Sequence, residues 1–445
     1  TQIAASIDSK VLLYDENKNA AKSALIKLEK ILTRLIEKDR INTAKKDFIL
    51  SNLELPFSRS EYIKRLDTVR NAMNANNIEV LFTCDPSNMA WLSGYDGWSF
   101  YVHQGVIIGP KGDPIFWGRK MDAIGATLTC YMSNDRIHGY SDDFVMSDKH
   151  AMSDLAEIIA GYGWSDKILG VELDNYYYSA KAHHILSRSH NSSIIDATGL
   201  INWCRAVKSK RELKYMRRAG QIVERMHAKI FDIFEVGKRK NEVAAEIYHT
   251  GIWGGEDEDG LFGGDYAAIC PLLPTNKEAT AAHLTWNDKK IPDNSGTFFE
   301  IAGVHRHYHV PLSRTIWLGK PPRDISIAEE VVLEGIDAGI SKAIAGNTAG
   351  DIAQAFYNVL SKHGVKREGR CGYPIGISYP PDWGERTYSI RPEDDTILKP
   401  NMTFHFMPAL WMKDWGLEIT ETLRIRENGT AEPLANVPRK LFVKS

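Results

Sequence analysis

Residues 296–319 of this 445-residue chain contain one carboxylate and three histidines at spacings that suggest metal chemistry. His305, His307 and His309 stand two residues apart, and Glu300 lies five residues before the first of them. Because alternate residues of a β-strand face the same side, the three imidazoles would share one face of a strand. Zinc and iron sites use such ligands. Alternating histidines in a hairpin are more often surface or hydrogen-bonding residues, and this is the alternative interpretation.

The composition of the chain disfavours some classes of partner and location. Hydrophobic residues make up 43% and charged residues 25% of the chain, which is typical of a globular protein, and the net charge is −2. Without an excess of basic residues, nucleic acid and anionic membranes are poor candidate partners. We expect a cytoplasmic protein, because no apolar run is long enough to span a bilayer and no signal-peptide core is present. The five cysteines contain no CxxC pair, which favours a reducing compartment over a disulfide framework or zinc knuckle.

The order of the elements predicts three segments. Residues 1–54 are expected to form a helical extension, because leucines recur at helical spacing between residues 25 and 35. Residues 55–207 alternate strand-like and helix-like stretches, which predicts an α/β domain. Its first helix should begin at Ser58, a capping residue with Glu61 three positions later.

Residues 208–445 predict an α+β domain. Helices are expected near 211–234, 240–250, 324–345 and 349–363. Strands are expected in the stretches DYAAICPLL, GTFFEIAG, YHVPLSRTIWL, MTFHFMPAL and EITETLRI. Helices and strands in separate blocks are typical of antiparallel α+β architecture.

The order and spacing of several motifs in residues 208–445 resemble the pita-bread fold of methionine aminopeptidases, prolidases and creatinase. These motifs are KSKRELKYMRRAGQI, SRTIWLG, CGYPIGIS, LKPNMTFHFMP and ITETLRI. The same resemblance identifies the preceding α/β segment as creatinase-like. Metallopeptidases of this fold bind two metal ions with two Asp, one His and two Glu, and here those positions hold Glu300, Pro311, Tyr373, Met407 and Thr420. Such a set cannot build the family's metal site, so the resemblance implies a protein without metal or other cofactor.

His283 lies seventeen residues before Glu300, at a place that corresponds to the catalytic histidine of creatinase, which works without metal. The resemblance therefore implies that His283 is a catalytic proton shuttle. The alternative is a structural histidine, as is usual for a lone histidine in an apolar segment.

Longer stretches are similar to the ectoine hydrolases, a branch of this family that opens a cyclic amidine. They are DPSNMAWLSGYDGWSFYVHQ, LGVELDNYYYSA, GTFFEIAG, PLSRTIWLGKP, GYPIGISYPPDWGERTYS and GLEITETL. The resemblance implies a small zwitterionic substrate, ectoine or hydroxyectoine, and a homodimer in which amino-terminal loops reach the neighbouring subunit's site. Glu300 would pair with the amidinium, and would either steer water or attack the ring carbon itself.

The substrate-binding residues that we expect are Tyr95, Trp98, Tyr101, His309, Tyr373, Glu385, Arg386 and Glu418. The aromatic residues can stack on a flat cation, and Arg386 can bind a carboxylate through two N–H groups.

Simpler interpretations remain open. Glu300 could have no role beyond an ion pair with Arg306 or Arg314. The aromatic residues could belong to a core or a dimer interface, and Arg386 could be a structural partner of Glu385 or Asp382. Glu418 and Glu421 have an odd separation on a strand, so at most one should line the site. The rival functions are another amidine or guanidine hydrolase, a non-catalytic binding module, and a metal-dependent aminopeptidase.

Overall fold

The computed structural model describes residues 55–445, so the amphipathic helix expected in residues 1–54 lies outside the described residues. The chain divides into two compact units, one ending at Cys204 and the other comprising Arg205–Ser445. The boundary expected from sequence, near Lys208, lies a few residues further along the chain.

The amino-terminal unit is a six-stranded mixed sheet with helices. Its helices are α1 (Arg59–Ala75), α2 (Pro86–Ser93), α3 (Lys120–Thr129), α4 (Ala151–Gly161), α5 (Ala180–Ser189) and α6 (Leu200–Cys204). Its strands are β1 (Val80–Thr83), β2 (Gly105–Ile108), β3 (Ile115–Arg119), β4 (Ile137–Tyr140), β5 (Leu169–Val171) and β6 (Ile194–Asp196). The sheet order is β4-β3-β2-β1-β5-β6, with β1–β2 and β2–β3 antiparallel and the other pairs parallel.

Local signals explain where the first helices begin. The Ser58 hydroxyl accepts from the Glu61 N–H at 3.3 Å, which confirms the predicted start of α1. The Asp85 side chain caps α2, whose first residue is Pro86. The sequence interpretation did not identify α2 or α3. In α2 every residue is buried, so it lacks the polar face that marks an amphipathic helix.

The carboxy-terminal unit contains four helices among its described residues: α7 (Lys210–Ile233), α8 (Lys240–Trp253), α9 (Arg323–Lys342) and α10 (Ala349–Lys362). Its strands are β7 (Gly255–Asp257), β8 (Gly260–Phe262), β9 (Ser295–His305), β10 (Tyr308–Leu318), β11 (Gly372–Tyr379), β12 (Asp382–Gly384), β13 (Thr403–Phe406), β14 (Leu410–Trp411), β15 (Gly416–Leu417), β16 (Glu421–Arg424), β17 (Glu432–Pro433) and β18 (Phe442–Lys444). Eight strands form one sheet, in which β17-β16-β13-β11-β10-β18 are successive neighbours, β9 pairs with β10, and β12 pairs with β11. The predicted α+β domain is confirmed.

The long hairpin of β9 and β10 is the centre of this unit, and every residue of both strands is buried. Helix α7 packs against it so closely that a Cβ atom on Gly303 would lie 2.0 Å from the Ala219 carbonyl oxygen. Only glycine permits this approach, which fixes β9 against the helix.

One predicted strand differs from the structure. Residues 265–273 do not form a strand, although Leu272 makes an isolated bridge with Glu300. The motif that carries Tyr373 forms the regular strand β11, which pairs with β10 and β13.

Among residues 55–445, no helix has the length and apolar composition needed to cross a bilayer.

Candidate active site

Glu300 lies in the middle of β9, opposite Ser313 of β10, and its side chain is 3% exposed. Two backbone hydrogen bonds with Leu272, at 3.0 and 3.1 Å, hold the residue from its other edge. No ion pair involves Glu300 among the described residues, because Arg314 pairs with Glu421 instead. The interpretation that Glu300 only pairs with Arg314 is therefore wrong.

Glu418 is the second buried carboxylate of the site. Its Oε1 accepts from the Trp411 indole at 2.9 Å, and its backbone N–H donates to the Thr315 hydroxyl at 2.9 Å. Its Oε2 atom is buried without a hydrogen-bond partner in the described part of the chain. Burial raises the pKa of Glu418 to about 7, while Ser313, Trp411 and Arg367 oppose this rise.

Glu300 and Glu418 influence each other directly. Burial, and then the neighbouring Glu418 charge, raise the pKa of Glu300 well above its usual value. Two buried carboxyl groups in electrostatic contact cannot both be charged at low cost, so one of them keeps a proton near neutral pH. The pair can therefore supply one carboxylate and one carboxylic acid, or bind a cation between them.

Tyr373 adjoins Glu300 and is part of a buried hydrogen-bond chain. Its hydroxyl oxygen accepts from the Trp383 indole at 2.7 Å and lies 3.2 Å from His405 Nδ1. His405 Nε2 lies 2.7 Å from the Thr420 hydroxyl. Burial lowers the pKa of His405 to about 3, so the imidazole is neutral. Burial and the Glu300 charge raise the pKa of Tyr373, so its hydroxyl keeps its proton.

Glu421 belongs to a different buried ion pair. It accepts from Arg314 Nη2 at 2.6 Å and from Arg439 Nε at 3.1 Å. Arg314 also donates to the Thr420 carbonyl oxygen at 2.6 Å. Glu418 adjoins Glu300 whereas Glu421 pairs with Arg314, which agrees with the expectation that at most one of them lines the site.

The three histidines do not share one face of a strand. Arg306 and His307 have φ values of 51° and 61° and form the turn between β9 and β10, so His307 is outside both strands. His305 Nδ1 lies 2.8 Å from the Gly263 carbonyl oxygen. His309 Nε2 accepts from the Ala268 N–H at 2.9 Å, and its Nδ1 donates to the His307 carbonyl oxygen at 2.8 Å.

Both ring nitrogens of His309 are thus occupied by backbone groups. Burial lowers its pKa to about 3. This histidine was expected to bind substrate, but in the structure it holds the loop that contains Ala268 against β10.

The five positions that bind metal in related peptidases do not fit a metal ion here. Pro311 offers no side-chain donor, and the hydroxyl groups of Tyr373 and Thr420 are committed to the hydrogen-bond chain. Only Glu300 brings a carboxylate, and Met407 brings a thioether. Across the described residues, no three His, Cys, Asp or Glu side chains converge in a manner suited to a metal ion.

His283 lies on an exposed turn, and no hydrogen bond or ion pair connects it to another described residue. The structure therefore does not bring it together with Glu300 and Glu418, and its catalytic role stays a prediction.

Three expected aromatic residues lie in the amino-terminal unit. Tyr95 is buried, its hydroxyl lies 2.8 Å from that of Ser99, and it packs on Phe116 at 4.5 Å between ring centroids. Trp98 and Tyr101 are 62% and 65% exposed. Tyr95 is therefore a core residue of this unit, and the other two have surfaces available for a ligand or a partner.

Glu385 belongs to a separate buried cluster. Its carboxylate accepts from Lys208 Nζ at 2.5 Å and from Arg205 Nη1 at 3.4 Å. Burial raises the pKa of Glu385, and the two cations partly offset this. The next residue, Arg386, is exposed and has a φ of 55°, whereas Glu385 is buried.

Four side chains of the site escaped the sequence interpretation: Ser313, Trp383, His405 and Trp411. None lies at a position that binds metal in the family, and none stands in a polar motif. His405 lies within the stretch MTFHFMPAL, and Trp411 directly follows it. The alternation of this stretch indicated a strand, but not which face of the strand meets Glu300.

The fold and the altered ligand positions define a class of protein. Residues 214–427 match the model of metallopeptidase family M24, and residues 65–207 match the creatinase/prolidase N-terminal domain. The chain belongs to this family, in the branch that carries the creatinase-type amino-terminal domain.

Among relatives, the chain is 54% identical to the ectoine hydrolase of Halomonas elongata over 397 residues, which cover 88% of this chain and 99% of that protein. It is 38% identical to an uncharacterized hydrolase/peptidase of Sinorhizobium fredii, with 88% and 99% covered. The prolidase structure from Thermococcus sibiricus superposes with a TM-score of 0.73 at 18% identity, with 86% of this chain and 99% of that chain covered. At this low identity, the structural likeness shows the fold alone.

Proposed function

We propose that this chain is a hydrolase that opens the cyclic amidine ring of ectoine to N-acetylated 2,4-diaminobutyrate without a metal ion. The buried pair of Glu300 and Glu418 carries the proposal, because two carboxyl groups in a dry site suit a delocalised amidinium cation. The 54% identity with an ectoine hydrolase supports the choice of substrate.

The reaction begins with attack on the ring carbon between the two nitrogens. A water oxygen, or first a Glu300 oxygen, bonds to this carbon and gives a tetrahedral centre. One ring C–N bond then breaks, the carbon becomes the carbonyl of an acetamide, and the released nitrogen takes a proton to leave as an amine. The overall change is the addition of one water molecule.

Glu300 and Glu418 divide the roles in this reaction. A charged carboxylate can activate water or act as nucleophile, and a protonated carboxyl group can deliver a proton to the leaving nitrogen. Since burial raises both pKa values, the pair holds one proton when the site is empty. The amidinium cation lowers both pKa values on binding, which releases this proton for transfer.

The direct test is to incubate the purified, chelator-treated protein with ectoine and to follow products by mass spectrometry and NMR. We expect the ring-opened product, with a mass increase of one water, at the rate of the untreated protein. Loss of turnover on chelation with recovery on adding a metal ion would contradict the metal-free mechanism. If ectoine is stable with both preparations, the substrate assignment is wrong, and other cyclic amidines and guanidines become the compounds to test.

We also infer a homodimer, as the resemblance to creatinase implies. The exposed Trp98 and Tyr101 support this inference, because large aromatic side chains are enriched at interfaces. The mass of the particle in solution tests it, and a monomer at micromolar concentration would contradict it.

A further inference from the structure

A cavity of about 330 Å³ in the carboxy-terminal unit is lined by three arginines, Arg367, Arg370 and Arg391, and by one carboxylate, Glu393. The excess of positive charge favours an anionic occupant. Two of the arginines also contact the candidate active site, so the cavity and the site are neighbours.

Arg367 is the first of these two. Its guanidinium carbon lies 5.2 Å from the centre of the Trp411 ring, and Trp411 donates to Glu418. The Arg367 charge also lowers the pKa of Glu418. The arginine is therefore close to the carboxylate pair, separated from it by the indole.

The hydrogen-bonding groups of Arg367 are incompletely used. Nη2 donates to the Arg370 carbonyl oxygen at 3.3 Å, whereas the buried Nε and Nη1 make no hydrogen bond of normal geometry among the described residues, although the Tyr357 hydroxyl and the Cys371 thiol are close to the guanidinium. Buried donors of a charged group are costly when they have no acceptor. Their arrangement is suited to a ligand that brings two acceptor oxygens.

Arg370 lies on the other wall. Its guanidinium carbon is 4.5 Å from the centre of the Tyr373 ring, and Tyr373 adjoins Glu300. The two arginines thus flank the same cavity and contact two different residues of the site. A compact molecule with a cation and a carboxylate has complementary groups in the carboxylate pair and the arginine pair.

We propose that Arg367 and Arg370 bind the carboxylate of the substrate and so determine specificity for an amidine that carries a carboxylate. This inference rests on the proposed function. It differs from the expectation of Arg386 in that role. The reason is that Arg367 presents buried N–H groups that make no hydrogen bond of normal geometry among the described residues, and Arg370 lies over the Tyr373 ring.

The test compares ectoine with its carboxylate-free counterpart, 2-methyl-1,4,5,6-tetrahydropyrimidine. KM is measured for ectoine, and Ki for the counterpart as an inhibitor of ectoine turnover. In Arg367→Ala we expect KM to rise by on the order of 10- to 100-fold, with Ki unchanged. Arg367→Lys should recover part of this loss, since it keeps the charge but not the two-pronged geometry.

Arg370→Ala should raise KM in the same direction, again without changing Ki. The control is Arg426→Ala, an exposed arginine away from the cavity, which should leave both constants unchanged. Equal increases of KM and Ki would mean that Arg367 only positions Trp411 and Glu418. An unchanged KM in both alanine variants would also overturn the inference.

A failure of the proposed function can be distinguished from a failure of this inference, because in the first case the unaltered protein itself would leave ectoine intact. If millimolar acetate or phosphate competes with ectoine in the unaltered protein but not in Arg367→Ala, the arginines bind a carboxylate-like anion, as proposed. The absence of competition by either anion, together with an unchanged KM, would show that the cavity is not an anion site.

Discussion

The Glu418 carboxyl group lies close enough to Glu300 to raise its pKa, and both side chains are buried. In metallopeptidases of this fold, metal charge compensates for several acidic ligands. Here a proton and a cationic substrate can do so, because no other cation pairs with Glu300 among the described residues. The site is therefore suited to bind a cation and to transfer protons.

The first prediction concerns the charge of Glu300. Glu300→Gln keeps the shape of the side chain but removes the carboxylate, so we expect turnover of ectoine to be lost. The fold should persist, since the amide replaces a buried group that already favours its neutral form. Product formation measured by mass spectrometry, with circular dichroism as the fold control, tests this. A nearly unchanged rate would remove Glu300 from the mechanism.

The second prediction concerns Glu418 and pH. Its pKa is raised to about 7 in the folded protein, so it contributes stability at low pH that is lost as pH rises through 7. Glu418→Gln lacks this ionisation. The free energy of unfolding of the variant, relative to the unaltered protein, should therefore increase from pH 5.5 to pH 8 by about 2 kcal/mol.

Denaturant unfolding at these two pH values measures the difference. Glu427→Gln, at an exposed carboxylate, is the matched control and should follow the pH dependence of the unaltered protein. Parallel curves for Glu418→Gln would show that Glu418 is charged across this range in the folded protein.

Part of the candidate site was predictable, because the family's ligand positions point to residues on β9 and β11. Glu300 and Tyr373 were found in this way, and both lie in the buried centre of the sheet. The three histidines do not share a strand face, because a turn at Arg306 and His307 interrupts the alternation, and His305 and His309 make hydrogen bonds with backbone groups. Arg367 comes from a segment distant in sequence, and only tertiary packing brings it near Glu418. Trp411 reaches Glu418 through the short pairing of β14 with β15, which the sequence pattern did not indicate.

The third prediction concerns His283. Since its side chain is exposed and makes no hydrogen bond to the described residues, His283→Ala should change the free energy of unfolding by less than about 0.5 kcal/mol. If His283 is the proton shuttle that the resemblance implies, turnover should nevertheless be lost. Rates measured beside the unfolding curves decide the role, and a normal rate would assign His283 to the surface.

The fourth prediction concerns the buried pair of Arg314 and Glu421. Glu421→Gln leaves the guanidinium without its nearest anion, so we expect a loss of stability of about 3 kcal/mol. Glu334→Gln, which removes an exposed partner of Lys362, should cost less than about 1 kcal/mol. Similar losses in the two variants, measured by denaturant unfolding, would contradict the structural role of the buried pair.

The last prediction uses the close approach of Gly376 to the buried cluster of Glu385. A Cβ atom at residue 376 would lie 2.2 Å from Glu385 Oε1 and 2.9 Å from Lys208 Cε. Gly376→Ala must therefore displace the carboxylate from Lys208 and Arg205, and we expect a loss of about 2 kcal/mol in the free energy of unfolding.

Gly384→Ala is the matched control on the paired strand β12. There the nearest atoms, the Asp382 carboxylate oxygens, would be 3.4 Å from the new Cβ, which is an ordinary contact. Unfolding curves of the two variants should differ by most of the loss predicted for Gly376→Ala. If both variants are equally stable, the Glu385 cluster tolerates displacement and does not hold β11, the strand that contains Tyr373, in position.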